Sequence, residues 1–356
     1  MSVDHAREYH SNLSQLKFLN SIPRGRISFN LNHNIDNAVK RTTDDNDEKI
    51  NLLLKFLLDQ NKRLSKDIPD VDWMFISYRR TLISVMCCVI GGAEPVRVVG
   101  TLFEGAIYLC SMETPQQVQR RISRNRQDDK FCAWGYKFEQ YLLSDLPTLP
   151  PDIQKPVIEN EEFSIFYRAT LGRHELLYGA QIDGLLATEG IKTNPETTTN
   201  VDKNLEYLRN NLFVELKTNR LIHHRRQEDN FKKYKLFRCW CQCYLADLKG
   251  LLVGYRNDEG IIQRLQWFYT TEIVRYCRNL WDPQTAVDFL DYFLTFAQLC
   301  FKNEVTKTLE KNYNLKNVEP ITIQFDIDAN KLIKVTRVND IILPEWYMQA
   351  KRKINI

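Results

Sequence analysis

Four residues in two strand-like stretches have the types and spacing to act on a phosphate. Gln181 and Asp183 lie in LLYGAQIDGLL, and Glu215 and Lys217 lie in LFVELKTN. Because side chains alternate between the two faces of a strand, the members of each pair share a face. Mg²⁺ and Mn²⁺ bind carboxylate, amide and carbonyl oxygens. Asp183 and Glu215 could hold one or two such ions against a scissile phosphate, while Lys217 orients a water and offsets negative charge.

The spacing of these residues is typical of one class of enzyme, although it is a weak signal by itself. An acid followed 32 residues later by an acid-x-Lys is the pattern of metal-dependent D-(D/E)xK nucleases. A Glu-x-Lys sequence also occurs often by chance in strands. Charged side chains that face solvent from an edge strand are the more frequent explanation of the bare pattern, and this alternative stays open.

Three further residues could complete such a site. Glu139 interrupts the apolar run WGYKFEQYLL, where it is either a surface residue of an amphipathic helix or a third ligand for a metal ion or a water. Gln242 lies in KLFRCWCQCYL, where its amide either makes hydrogen bonds in the core or contacts a nucleotide or Lys217. Either Arg79 or Arg80 in ISYRRTLISVM could face a phosphate, with the other facing solvent.

Composition and motifs exclude several other classes of protein. The 356 residues include nine cysteines without a CxxC pair, which indicates reduced thiols rather than a zinc site. No Walker A, GxGxxG or GxSxG motif is present. No apolar run reaches the length of a membrane span, and the first residues do not resemble a secretory signal. The net charge of +4 is small, but basic residues cluster at 119–126 and 223–235. These clusters either line a groove for a polyanion or form solvated helix faces.

The elements that must position these residues mix strands and helices. Periodicity predicts helices over 49–64, from Pro115 with Thr114 as N-cap, and over 128–143, 230–248 and 283–309. It predicts strands over 26–31, 74–90, 96–110, from Glu162 to Asn219 in three stretches, over 251–255 and 261–271, and near the end of the chain. This order lacks strict βαβ alternation, which favours an α+β fold. We expect an irregular polar segment over 1–24 and one catalytic domain over 25–350.

Several motifs, in order, carry a resemblance to a known family. The chain resembles the DXO family of eukaryotic RNA 5′-end decapping and exonuclease proteins from about Ile22 to Tyr347. The motifs that carry the resemblance are ISYRR, GTLFEGAIYLCSMETP, GYKFEQY, LGRHELLYGAQID, VELKT, KLFRCWCQCYL, VGYRNDEG, WDPQTAVDFLDYFLTFAQ and LPEWY.

The resemblance implies a fold, an activity and partners. It implies two mixed β-sheets flanked by helices, with the active-site pocket between the sheets. It also implies Mg²⁺- or Mn²⁺-dependent hydrolysis at RNA 5′ ends: removal of incomplete, unmethylated or NAD-type caps, pyrophosphate release from 5′-triphosphate RNA and, in some members, 5′-to-3′ digestion. A nuclear 5′-to-3′ exoribonuclease is an implied partner, and the nucleus, with the cytoplasm as a second place, is the implied location. We expect a monomer that does not insert into a membrane.

The resemblance also assigns roles to individual residues. The implied metal ligands are Glu139, Gln181, Asp183, Glu215 and the backbone carbonyl of Leu216. The implied catalytic residues are Glu139, Asp183, Glu215, Lys217, which positions the attacking water, and Gln242. The implied substrate contacts are Arg79, Glu139, Lys217 and Gln242.

One position departs from the family pattern. The family's Glu-x-Asp motif is Gln181-Ile182-Asp183 here, so a metal-binding carboxylate is replaced by a neutral amide. We expect weaker binding of divalent ions and weaker catalysis with an unchanged fold. The sequence leaves open whether this glutamine is natural or introduced. It also leaves open a second function, in which an inactive family member binds RNA ends or recruits partners. Tyr78 and Arg80 also differ from the usual Trp and Gly.

Overall fold

The structure is a computed structural model of the chain, and it describes residues 1–41, 48–64, 73–187, 193–209, 211–311 and 319–354. The described residues form strands and helices in mixed order, as the sequence predicts. The strands, in chain order, are β1 (Ser2–Val3), β2 (Tyr9–His10), β3 (Phe18–Leu19), β4 (Phe29–Asn30), β5 (Met74–Tyr78), β6 (Val96–Phe103), β7 (Ala106–Met112), β8 (Leu143–Ser144), β9 (Glu162–Leu171), β10 (His174–Gln181), β11 (Gly184–Leu186), β12 (Phe213–Arg220), β13 (Gly250–Arg256), β14 (Ile261–Tyr269), β15 (Ile321–Ile327) and β16 (Ile333–Val338). The helices are α1 (Asn51–Asp59), α2 (Asn61–Leu64), α3 (Arg79–Cys87), α4 (Pro115–Ile122), α5 (Arg126–Leu142), α6 (Val201–Arg209), α7 (Arg225–Asn230), α8 (Phe237–Leu245), α9 (Thr270–Cys277), α10 (Pro283–Lys311) and α11 (Glu345–Ile354), with a π-helical segment (Phe231–Leu236) that joins α7 to α8.

The chain divides into two compact units. Unit 1 comprises Met1–Thr42, Arg120–Ile165 and Gln181–Trp281, and unit 2 comprises Thr43–Gln119, Phe166–Ala180 and Asp282–Ile356. Unit 1 contains a mixed sheet in the order β4-β14-β13-β12-β11-β3-β8. Among the described residues, no helix is both long enough and apolar enough to cross a lipid bilayer.

Unit 2 contains a second mixed sheet. Its strands lie in the order β16-β15-β6-β7-β5-β10-β9, with β5 parallel to both of its neighbours. Side chains of β5, β6 and β7 pack with those of α1 and α11 in one buried cluster. Two mixed sheets with helices confirm the predicted fold class.

The central strands of unit 1 bring the candidate residues to one place in the sheet. β12 pairs with β13 in parallel and with β11 in antiparallel register. Gly184 pairs with Val214 in that register, so Asp183, the residue before β11, lies next to Glu215 on β12. The register of two strands distant in sequence therefore sets the separation of the two acids.

Helix α5 lies close to the same sheet because one strand position lacks a side chain. Phe138, Trp134 and Leu142 of α5 are buried in a cluster with Leu216 of β12. A Cβ atom added at Gly254 of β13 would lie 2.4 Å from a ring carbon of Phe138. This glycine allows the helix that carries Glu139 to approach the sheet.

Some predicted elements are confirmed by the structure. The predicted N-cap of α4 is present as a capping box, in which Thr114 Oγ1 accepts the Gln117 N–H at 3.3 Å and Gln117 Oε1 accepts the Thr114 N–H at 2.9 Å. The helices predicted over 128–143 and 283–309 correspond to α5 and α10 within two residues at each end.

Other predicted elements are wrong. The strand predicted over 74–90 ends at Tyr78, and α3 follows, because a short apolar run fits a buried strand and a buried helix equally well. The strand predicted over 96–110 is a hairpin that turns at Glu104 and Gly105, both with positive φ. The irregular segment predicted over 1–24 contains β1, β2 and β3.

We expect Gly254→Ala to destabilise the protein. The added methyl group would overlap Phe138, and overpacking of this kind costs about 1–3 kcal/mol of the free energy of unfolding. Gly135→Ala in α5 is the matched control, because a Cβ atom there meets no atom within 4 Å and alanine favours a helix by up to about 1 kcal/mol. Urea unfolding of both variants measures the difference. Equal stability of the two variants would contradict close packing at Gly254.

Candidate active site

The ammonium of Lys217 lies among oxygen atoms of two acids and a backbone carbonyl. Lys217 Nζ donates to Glu215 Oε1 at 2.5 Å and to the carbonyl of Leu216 at 3.1 Å, and it lies 3.4 Å from Asp183 Oδ2. The predicted shared face of Glu215 and Lys217 is therefore present. Leu216 points the other way and is buried in the core of unit 1, as expected.

Asp183 is held in place by the backbone of the neighbouring strand. Its Oδ2 accepts the N–H of Leu216 at 2.7 Å. The Asp183 and Glu215 side chains are only 8% and 2% exposed, so their charges need local compensation. The alternative of edge-strand charges that face solvent is therefore wrong for both acids, because β12 is an inner strand of its sheet.

Lys217 stays charged in this environment. Burial by itself would lower the pKa of its ammonium, but the negative charges of Asp183 and Glu215 outweigh burial and raise the pKa well above 10.5. A lysine in this state is a permanent positive charge at neutral pH. It can stabilise negative charge on a phosphate and donate a hydrogen bond.

Glu139 is electrostatically part of the same cluster. Burial raises the pKa of its carboxyl group well above 4.5, and the negative charge of Asp183 raises it further, against the opposing effect of Lys217. Glu139 is therefore not simply a surface residue on the outer face of an amphipathic helix. Its raised pKa favours a protonated carboxyl group as long as no cation offsets the nearby acids.

Gln242 approaches the cluster from α8. Its Nε2 donates to Glu215 Oε1 at 3.1 Å, so the amide orients a carboxylate rather than only filling the core. This contact gives Glu215 Oε1 two donors, since Lys217 also donates to it. The side chain of Gln242 stays partly exposed.

Two predicted residues are placed differently. Gln181 ends β10 and is exposed, and Ile182 and Asp183 lie between β10 and β11 rather than inside one strand. The Ile182 N–H donates to the carbonyl of Phe163 at this junction. Arg79 belongs to unit 2, where it is buried as the first residue of α3. The roles assigned to Gln181 and Arg79 stay predictions.

Sequence analysis did not single out two neighbours of Lys217. Lys235, in the π-helical segment, donates to the carbonyl of Thr218, which follows Lys217 on β12. The thiol of Cys239 is buried near Lys217 and Glu215, and burial raises its pKa to about 11. The only available signal was helical spacing, since Lys235, Cys239 and Gln242 lie four and three residues apart.

The chemistry of these oxygen donors fits a hard divalent cation. A cationic nitrogen already lies among two carboxylates and a backbone carbonyl, which are the donors that Mg²⁺ and Mn²⁺ prefer. In the part of the chain that the structure describes, no group of three or more His, Cys, Asp or Glu side chains is arranged to hold a metal ion.

The two basic clusters differ in their surroundings. In the cluster at 223–235, Lys232 donates to Glu228 at 2.7 Å and its ammonium lies 3.8 Å from the ring centre of Tyr276. These contacts lie beside a cleft of about 580 Å³. The cleft is lined by residues of 222–232 and 276–280, and none of the predicted site residues lines it. The side chains of 120–125, by contrast, are all exposed.

Comparison with known proteins identifies relatives over nearly the whole chain. The family described as "RAI1 like PD-(D/E)XK nuclease" matches residues 1–348. The chain is 27% identical over 354 residues to "Decapping and exoribonuclease protein" of Bos taurus, covering 98% of this chain and 83% of the relative. It is 29% identical over 300 residues to "Decapping and exoribonuclease protein Rai1" of Drosophila melanogaster, covering 82% and 76%.

Solved structures share the fold. Candida albicans Rai1 in complex with pU5-Mn²⁺ aligns with a TM-score of 0.73 at 18% identity, covering 96% of this chain and 90% of that one. Scheffersomyces stipitis Rai1 in complex with (3′-NADP)⁺ and calcium ion aligns with a TM-score of 0.71 at 16% identity, covering 99% and 93%.

We expect Glu139→Gln to stabilise the metal-free protein at neutral pH. Because the pKa of Glu139 is raised on folding, the native state binds more protons than the unfolded state above pH 4.5, and stability falls as pH rises from there towards the folded-state pKa. The variant has no carboxyl group at position 139, so its stability does not fall with pH for this reason. Urea unfolding in EDTA between pH 4 and pH 8 should show an advantage for the variant that grows with pH and disappears at the acid end.

The exposed Glu272→Gln variant on α9 serves as the control, and its stability should follow the wild-type pH profile. An advantage of Glu139→Gln that does not change with pH would contradict the raised pKa.

Proposed function

Because the chain belongs to the family of RAI1-like PD-(D/E)XK nucleases, we propose that it hydrolyses RNA at the 5′ end with a divalent cation. The reactions are removal of incomplete, unmethylated or non-canonical caps and pyrophosphate release from 5′-triphosphate RNA, with 5′-to-3′ digestion as a further activity. The observation that carries the proposal is the ammonium of Lys217, held by Asp183 and Glu215 from adjacent strands. The curated relatives are named for decapping and exoribonuclease activity.

Each residue of the cluster has a distinct task. A bound Mg²⁺ or Mn²⁺ would polarise the scissile phosphate and lower the pKa of the attacking water. Its ligands would be Glu139, Gln181, Asp183, Glu215 and the carbonyl of Leu216. Burial and the negative charge of Asp183 raise the pKa of Glu139, and a bound cation would favour its ionised form.

Lys217 and Gln242 act on the substrate and the water. With Glu215 and Asp183 held by a cation, the ammonium of Lys217 would contact the phosphate or the water and offset the negative charge of the transition state. The amide of Gln242 fixes Glu215 through its Nε2. Its carbonyl oxygen can accept a hydrogen bond from the water or from a ribose hydroxyl.

The choice between Mg²⁺ and Mn²⁺ is the finer part of this proposal. The related structures from Candida albicans and Scheffersomyces stipitis contain manganese and calcium, respectively. In this chain the neutral amide of Gln181 removes one formal negative charge from the set. We therefore propose that Mn²⁺, which binds nitrogen and oxygen sites more tightly than Mg²⁺, supports activity better.

A second function is favoured by one observation. Gln181 replaces the acid of the family motif, so the chain could bind RNA ends or recruit partners without hydrolysing RNA. Retention of Glu139, Asp183, Glu215 and Lys217 favours the enzyme, because binding alone does not need a buried cluster of acids around a lysine. Docking of a nuclear exoribonuclease and location in the nucleus stay predictions. Co-purification with the tagged chain and imaging of it test them.

We expect metal-dependent hydrolysis of end-labelled 5′-triphosphate RNA and of RNA with an unmethylated cap. Mn²⁺ should give product and EDTA should give none. Glu215→Ala should abolish product, because it removes a ligand and leaves Lys217 without its closest partner. Gln181→Glu should increase the rate by about tenfold or more, as restored charge improves electrostatic stabilisation by more than about 1.4 kcal/mol. Gel analysis of the labelled products measures all four.

Glu272→Ala is the matched control and should react like the wild type. Absence of product from both the wild type and Gln181→Glu would reject the enzyme and leave the binding function.

We expect the same substitution to strengthen ion binding independently of activity. Gln181→Glu should lower the Kd for Mn²⁺ and raise the Tm measured in Mn²⁺ above that of the wild type, because a ligand that binds only the native state stabilises it. In EDTA the variant should be no more stable than the wild type, since it adds a negative charge near Asp183. Calorimetric titration with Mn²⁺ gives the affinity, and an unchanged Kd would exclude residue 181 as a ligand.

A further inference from the structure

The surface that begins at the basic cluster near residue 120 is exposed and strongly positive. Residues 120–131 contain five basic and two acidic residues, although the whole chain has a net charge of only +4. Ile122 and Phe131, the large apolar side chains of this segment, are 69% and 42% exposed. Basic side chains with exposed apolar groups among them are typical of a nucleic-acid surface.

Phe131 belongs to a cluster of two aromatic rings and a guanidinium. The guanidinium of Arg256 lies 4.8 Å from the ring centre of Phe131 and 4.7 Å from that of Trp134. The two rings are themselves 5.2 Å apart. A cation beside an aromatic ring is held by the ring's quadrupole, so the exposed ring and the guanidinium keep a fixed relative position.

Trp134, which lies beneath Phe131 and Arg256, is held by contacts in the core of unit 1. Trp134 is buried, and its Nε1 donates to Asn32 Oδ1 at 3.1 Å. A Cβ atom at Gly260 would lie 2.5 Å from the indole, so the turn at residues 257–260 packs directly on Trp134. Phe131 and Arg256 thus form a preorganised platform on a buried support.

Two of the acids near the platform make hydrogen bonds. Arg220 donates two hydrogen bonds of 2.5 Å to Asp258. Asp128 caps the start of α5 by accepting the N–H of Asn125 at 3.1 Å. Asp128 and Asp129 are outnumbered by the five basic residues of 120–131, so positive charge dominates the local field.

The platform and the candidate active site lie on the same helix. Phe131 and Glu139 are eight residues apart on α5, which corresponds to about 12 Å along the helix axis. A stacked strand advances about 3.4 Å per nucleotide, so about three to four nucleotides would span this distance.

We propose that Phe131 and Arg256 form a stacking platform for single-stranded RNA, about three to four nucleotides downstream of the 5′ end held near Glu139. The side chains of Arg120, Arg121, Arg124 and Lys130 contact the phosphates that follow. The proposal rests on the proposed function for the direction of the strand, but binding to the platform does not require hydrolysis. The bases are recognised by stacking, so the platform accepts any sequence.

The test measures binding in EDTA, where no hydrolysis is expected. The probes are 3′-fluorescein-labelled, 5′-phosphorylated oligouridylates of about three and about 15 nucleotides, measured by fluorescence anisotropy with the full chain. Phe131→Ala should weaken binding of the long probe by about fivefold or more, because each base–aromatic stack contributes that much. Binding of the short probe should change by less than about twofold. Phe131→Trp should retain the affinity for the long probe.

Charge and control variants complete the test. Arg256→Gln should also weaken binding of the long probe and reduce the slope of log affinity against log salt by about 0.7. Tyr292→Ala on α10, which removes an aromatic side chain that is 57% exposed, should leave both affinities unchanged. Unfolding curves of each variant show that the fold is retained.

The outcomes separate this proposal from the proposed function. Equal loss for both probes, no loss with Phe131→Ala, or equally affected binding of a 15-base-pair duplex would overturn the platform. Loss confined to the long single strand supports the platform even if no hydrolysis is found with Mn²⁺. Hydrolysis without any dependence of affinity on Phe131 would support the enzyme and reject the platform.

Discussion

The compensation of buried charge around Lys217 is the interaction on which the candidate site depends. Asp183 and Glu215 are almost fully buried, and an uncompensated carboxylate in that position would be costly. The ammonium of Lys217, the N–H of Leu216 and the amide of Gln242 supply the compensation. A divalent cation could replace the ammonium because it presents the same sign of charge to the same oxygen atoms. The ammonium of Lys217 thus compensates the charge of both acids in the structure.

The same arrangement explains why several elements must approach each other closely. β11 and β12 bring Asp183 next to Glu215, α5 brings Glu139, and α8 brings Gln242. Gly254 leaves room for α5 against the sheet. Since a shift of about 1 Å in a catalytic group can reduce a rate a hundredfold, packing far from the acids contributes directly to catalysis.

Charge outside the cluster is distributed unevenly, and this matters for the substrate. The small net charge of the chain conceals a positive, aromatic surface at the start of α5, the helix that ends near the cluster with Glu139. A strand of RNA has a negative charge and a stacking face at every nucleotide, so one helix can serve both its 5′ end and its following bases. The replacement of the family's acid by Gln181 affects only the contact with the 5′ end of the RNA.

The sequence determined the residue types of the site and the local pattern that places them. Alternation along β12 placed Glu215 and Lys217 opposite Leu216, and the Thr114-Pro115 pair marked the start of α4, because both signals depend on neighbours a few residues away. The sequence also supplied the family motifs, including the departure at Gln181. Only the tertiary structure decided that Asp183 lies next to Glu215, that Glu139 belongs to the same charged cluster, that residues after Tyr78 form a helix, and that Arg256 lies beside the ring of Phe131. Each of these depends on strand register or on packing between residues distant in the chain, where local propensity is overridden by burial.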